Sequence, residues 1–255
     1  MRASIDSPIL IFVSSLALLW LATRLGASVR KRHGAIADEA RENLGIVLAA
    51  ALTLLALVVG FTFSMAIGRY DLRKTYEEAE ANAIGTEYVR ANLLLPADAN
   101  RVHALLREYL DCRILYYEVR DPGRLRQIDA RTAQLQTELW SAILPPAAAQ
   151  PTPIVALAVS GMNDVLNSQG YAQAAWWNRI PSAAWVLLGT IAFCCNLLVG
   201  YCARSADAVA VRHLALPLVL AVALALIADI EAPRGGVILV GAQNLIAVRE
   251  SLPGQ

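Results

Sequence analysis

The sequence predicts an all-α integral membrane protein, with four transmembrane helices and a helical soluble domain inserted between the second and the third. Three observations carry that prediction. Of the 255 residues, 57% are hydrophobic and 17% charged, which is outside the usual balance of a soluble domain. Four apolar stretches approach the roughly 20 residues a helix needs to cross a hydrocarbon core of about 30 Å. No alternating apolar–polar run is long enough to read as a strand.

The first stretch, Pro8 to about Leu25, opens on Ser7 and Pro8, the residue types favoured at an N-cap and a first helical position. Arg2 ahead of an apolar run resembles a signal peptide. Arg24 closes the run before any clean small-residue cleavage site, so a retained helix is expected. The second stretch, Leu44 to Gly68, passes into RYDLRKTYEEAEANAIGTEY with no Pro or Gly-rich break. One helix is therefore expected to leave the bilayer and continue into water. The third and fourth stretches run from about Pro181 to Ala203 and from Leu214 to Ile230. The expected domains are 1–68 with the first two spans, 69–180 as the extramembrane helices, and 181–255 with the last two spans and a tail.

Within 69–180, Ala, Glu and Arg favour a helix to about Leu95, and Pro96 ends it. Val102, Leu105, Leu106, Tyr109 and Tyr116 mark one buried face of the next helix. Asp121-Pro122-Gly123 reads as a turn. Leu125, Ile128, Leu135 and Leu139 form the stripe of a third helix, which Pro145 and Pro146 are expected to break. A fourth runs from about Pro153 to Trp177, with a break or bend expected near Gly161 or Gly170.

The net charge of +1 carries no nucleic-acid signature. Cys112, Cys194, Cys195 and Cys202, with His33, His103 and His213, show no metal-ligand spacing and no disulfide framework. No phosphate loop, dinucleotide fingerprint, nucleophile elbow or zinc-protease motif occurs, so neither an enzyme nor a cofactor is expected. Arg30, Lys31, Arg32, Arg204 and Arg212 favour a cytoplasmic side for the short loops, against Asp207. Arg69, Arg73, Lys74 and Arg179 argue the same side for the long domain, and charge leaves the orientation open.

Gly45, Ala49, Thr53, Ala56, Gly60, Ser64 and Gly68 share one face of the second span. Two readings stand: close helix packing, or a pore face on which Gly60, Phe61, Phe63, Ser64 and Met65 form a constriction. Arg69, Tyr70, Asp71, Arg73 and Glu77 follow, either as a solvated face with internal ion pairs or as a charged vestibule. Asn196 is expected to bond across helices. Asp229 and Glu231, beside Pro233 and Arg234, are read as a boundary turn or as ion-related acids.

The second span with GRYDLRKTYEEAEANAIGTEY, the stretch SGMNDVLNSQGYAQAAWWNRIP and the closing IEAPRGGVILVGAQNL resemble the bacterial bestrophin-like-domain family of four-helix membrane proteins, over nearly the whole chain. The resemblance implies an inner-membrane protein with a cytoplasmic helical domain. Bestrophins are pentameric anion channels whose second helix lines an apolar neck. That implies a homo-oligomer, small anions as partners besides the bilayer, and Phe61 and Phe63 near the neck. The longer tryptophan- and arginine-rich exit of bacterial bestrophins is absent from the sequence. The alternative class is a non-conducting scaffold or sensor whose helical domain docks a partner, with the 125–139 stripe as one surface for it.

Overall fold

The computed structural model describes residues 7–33, 38–203, 209–232 and 234–253. Arg204, Asp207 and Pro233, and the side chains of His33, Arg212 and His213, lie outside the described residues. The elements are α1 (Pro8–His33), α2 (Asp38–Arg90), a 3-10 turn (Ala91–Leu93), α3 (Pro96–Glu118), α4 (Pro122–Ala149), α5 (Pro153–Trp177), α6 (Ser182–Cys202), α7 (Val209–Glu231) and α8 (Gln243–Ser251). No strand occurs among the described residues. Among the described residues, four helices are long and apolar enough to cross a membrane.

Two of the expected helix ends move outward. α1 runs on through Arg30, Lys31 and Arg32, and α2 already starts at Asp38. Both extensions are polar, so apolar composition alone under-reads the helix. α2 continues without interruption for 53 residues, as its unbroken run of helix formers implies.

Contacts divide the chain into two compact units. The first comprises Met1–Arg69 and Arg179–Leu239. Its core joins Leu19 of α1, Leu55 of α2, Leu188, Ala192 and Cys195 of α6, and Leu220 and Leu224 of α7. α1 and α6 meet backbone to backbone. A Cβ at Gly26 would run into the Leu197 carbonyl, and one at Gly200 into the Thr23 carbonyl. Small residues are what such an approach requires, because dispersion between close helices replaces the hydrophobic effect in lipid. Asn196 sits in the same seam. Its Nδ2 donates to the Ala192 carbonyl at 2.8 Å, and its Oδ1 accepts from Thr23 Oγ1 at 3.5 Å, so the expected cross-helix bond is present.

The second unit comprises Tyr70–Asn178 and Val240–Gln255. The tail from Val240 thus packs with the helical unit, where the sequence had grouped it with the last spans. Leu245 of α8 is buried in that unit's core, with Ile84, Leu106, Tyr109, Leu135, Leu139, Ile143, Met162 and Val165. A nine-residue helix with only one fully buried side chain leaves too weak a pattern to read from sequence. α3 runs antiparallel to the end of α2: Tyr88 stacks on His103 at 4.1 Å, and further back Glu80 meets Arg113.

Pro145 and Pro146 do not break α4. Each lacks the N–H that would bond the carbonyl four residues back, yet the helix continues to Ala149, and Gln150 N–H closes on the Pro146 carbonyl at 2.9 Å. α5 is likewise unbroken at Gly161 and Gly170. The stripe at Ile128, Leu135 and Leu139 is buried in the unit's own core, so it offers no docking surface.

Candidate functional site: the exposed face of the second helix and its buried polar continuation

In the first unit, α2 presents one face to the bundle and leaves the other bare. Leu55, Thr62 and Ala66 are buried, and Ala51, Leu52, Val58 and Val59 lean on the same core. The opposite face carries Leu57, Phe61 and Met65, which are 53%, 62% and 43% exposed. α2 is the least covered span: 6% of its most apolar stretch is buried, against 50% in α7. Gly60 and Ser64 are exposed beside Phe61. A Cβ added at Gly45, Gly60 or Gly68 would meet nothing within 4 Å. Nothing inside the chain requires those residues to be small.

Phe63 departs from the expected pairing with Phe61. At 100° per residue the two are roughly 200° apart around the helix. Phe63 is half-buried and does not share the stripe with Phe61. The structure brings Gly60, Phe61, Ser64 and Met65 together and leaves Phe63 aside.

At the end of this unit the two boundary acids tie backbone and chain together. Asp229 accepts from Val237 N–H at 2.8 Å and Ile238 N–H at 2.9 Å, and holds the turn that follows α7. A Cβ at Gly236 would sit 2.7 Å from the Asp229 carbonyl oxygen, so the turn closes only on a glycine. Glu231 accepts from Ile180 N–H at 2.9 Å and faces Arg69 Nε at 3.8 Å. Of the two readings for these acids, the geometry matches the structural one.

In the second unit, α2 turns an inner face of charged residues spaced by helical turns: Arg73, Glu77, Glu80 and Glu87, all buried. This corrects the expectation of a solvated face or vestibule for Arg73 and Glu77. Asp71 is exposed, Tyr70 half-buried, and Arg69 paired with Glu231. The Arg73 Nε donates to the Ala175 carbonyl at 3.3 Å. Glu77 accepts from Asn244 N–H and Leu245 N–H, each at 3.0 Å, and from Asn244 Nδ2 at 2.6 Å. Ala242 at the N-cap of α8 has no side chain to cap with. Glu77 therefore supplies the cap from another helix, satisfying two orphan N–H groups at the positive end of the helix dipole.

Glu80 receives Arg113 in a forked pair and the Tyr117 hydroxyl at 3.1 Å. Arg113 lies over the Tyr116 ring at 4.3 Å, and Tyr116 and Tyr117 both meet Trp176 edge-on. Burial alone would lower the Arg113 pKa, but the adjacent Glu80 carboxylate more than reverses that and holds the guanidinium charged. Burial pushes the Tyr117 hydroxyl up, and Glu80 adds to the rise. Burial also pushes Tyr109 up. Glu87 lies farther along α2, well past the apolar span. Burial raises its pKa to about 8, with Arg90 opposing and Asp164 adding.

Arg113 and the α8 cap were not singled out from sequence. One signal was there for Arg113: it falls in register with Leu106, Tyr109, Leu110 and Tyr117 on the apolar face of α3. A charge on an apolar face needs a buried partner. Among the described residues no group of three or more His, Cys, Asp or Glu side chains is placed to hold a metal ion.

The chain matches the bestrophin-like domain model over residues 9–245. Its fold is similar to crystal structures of a bacterial bestrophin homologue from Klebsiella pneumoniae. One single-substitution form gives a TM-score of 0.64 at 15% identity, with 94% of this chain and 99% of that chain covered. A second gives 0.63 at 16% identity, covering 94% and 97%. At such identity the likeness concerns the fold. No curated protein matches the sequence. With residues 9–245 matched and four apolar helices to span a bilayer, this chain is a membrane protein belonging to the bestrophin-like domain family.

Proposed function

We propose that the chain assembles into a homo-oligomer that conducts small anions, with α2 lining the pore. Membership of the bestrophin-like family supports the general kind, since bestrophins are anion channels. The observation that carries the reading for this chain is the bare face of α2. Its glycines have no neighbour to make room for, and its apolar side chains are uncovered. Small residues there let copies of α2 approach one another around an axis. Gly60, Phe61, Ser64 and Met65 then form the constriction, which gates by excluding water. Arg69, Tyr70 and Asp71 mark the mouth, while Arg73 and Glu77 hold the helical unit together. A pentamer, a cytoplasmic helical unit and the bacterial inner membrane complete the proposal by family likeness.

The test is halide flux into liposomes carrying the purified protein, with Phe61→Ala beside the wild type. Flux that the substitution alters supports conduction past Phe61. A folded oligomer without flux moves the reading to a scaffold or sensor.

A further inference from the structure

Glu87 is buried, and neither of its carboxyl oxygens has a hydrogen-bond partner among the described residues. It lies where α2 packs on α5. A Cβ at Gly161 would overlap Glu87 Oε2 and sit 2.7 Å from an Arg90 guanidinium nitrogen, so the carboxyl and Arg90 both reach the α5 backbone at this glycine. The charged groups facing it are few. On α2 itself, Arg90 lies beside Glu87 at the Gly161 contact and faces Asp164 of α5 at 3.8 Å, and both are partly exposed. The 3-10 turn Ala91–Leu93, which follows Arg90, carries no charge. On α8, Val248 covers nearby Gly85, and Arg249 is paired with Asp111 instead. On α3, His103 bonds the Tyr88 carbonyl and Arg107 the Tyr88 hydroxyl.

We propose that Glu87 is a proton-binding site that latches α5 onto α2 at Gly161. With its proton in place the carboxyl is neutral and sits in the contact without donors. Releasing the proton to solvent leaves a carboxylate in a site that supplies it no N–H or O–H. Two responses relieve it: water enters the Gly161 contact, or the adjacent Arg90 leaves Asp164 for Glu87. Either one loosens the α2–α5 seam. The raised pKa of about 8 puts this change near neutral pH, within reach of ordinary variation. The site is independent of conduction and stands whether or not α2 lines a pore.

The experiment is hydrogen exchange by mass spectrometry on the full chain, at a series of pH values from 6.5 to 9.5. Rates are normalised to an unstructured peptide, and the wild type is compared with Glu87→Gln. The expected result is a rise of roughly ten-fold or more in normalised exchange across residues 84–93 and 156–166 of the wild type between pH 6.5 and 8, levelling off above 8, and a flat response in Glu87→Gln. A wild type without a rise, or an equal rise in both proteins, overturns the latch. Should Glu87→Gln fail to fold, infrared spectroscopy of the wild type decides. A carboxylic-acid C=O band present at pH 6.5 and lost by pH 9.5 supports the site, since ordinary carboxyls are ionised throughout that window. A spectrum with no such loss overturns it.

Discussion

Arg113 of α3 and Glu80 of α2 form a forked ion pair with both side chains fully buried. The pair lies 33 residues apart in sequence and joins the two helices at the centre of the helical unit. Three aromatic rings close around it, from Tyr116, Tyr117 and Trp176. A paired buried charge contributes little net stability, but removing one partner strands the other. Glu80→Gln is therefore expected to destabilise the protein by about 3–5 kcal/mol. Replacing both residues together, as Glu80→Gln with Arg113→Met, is expected to recover part of that loss. Thermal midpoints of the purified single and double variants check both statements.

The α1–α6 seam makes a sharper contrast. Gly200→Leu drives a side chain into the Thr23 carbonyl and is expected to cost more than about 3 kcal/mol or to prevent folding. Gly45→Ala meets nothing in the chain and is expected to stay within about 0.5 kcal/mol. Size-exclusion profiles and thermal midpoints in detergent separate the two. A loss of oligomer in Gly45→Ala with an intact fold would place this face between copies.

Glu77 holds the start of α8 through three hydrogen bonds. Glu77→Ala is expected to remove about 1.5–3 kcal/mol of anchoring and to free α8 while the helical core persists. Limited trypsin digestion at Arg249 reads this directly. Faster cleavage there, with cleavage elsewhere unchanged, is the expected pattern.

Stability is expected to fall as pH rises from 4.5 to 8 because of Glu87. Its folded pKa, about 8, is above the ordinary value of 4.5. The folded state thus binds the proton more tightly than the unfolded chain. Its contribution is fully present below pH 4.5 and drains away as pH rises through 8. The thermal midpoint of the wild type should drop across that window, and that of Glu87→Gln should change less.

The membrane architecture was legible because its signal is local: apolar runs of span length announce α1, α2, α6 and α7. The unbroken passage of α2 into a polar helix was legible for the same reason. What escaped were relations between distant residues. Glu77 looks like one more acid on a charged helix until α8, some 167 residues later, brings its bare N-terminus to it. Arg73 and Glu77 were read as a solvent-facing exit because local charge density says nothing about which face is covered. Phe63 was paired with Phe61 on proximity in sequence, although helical periodicity alone separates them. The prolines of α4 were given the weight of helix breakers, and the helix runs through them to Ala149.

The central claim is that α2 lines an anion path with Phe61 at its constriction. Chloride flux into liposomes, measured for the wild type and Phe61→Ala, with Phe63→Ala beside them, tests it most directly. The account predicts wild-type flux above that of empty liposomes, a clear change in Phe61→Ala, and a smaller one in Phe63→Ala, whose ring is turned off the stripe. Flux equal to that of empty liposomes from a verified, folded oligomer, or flux indifferent to Phe61, would contradict it.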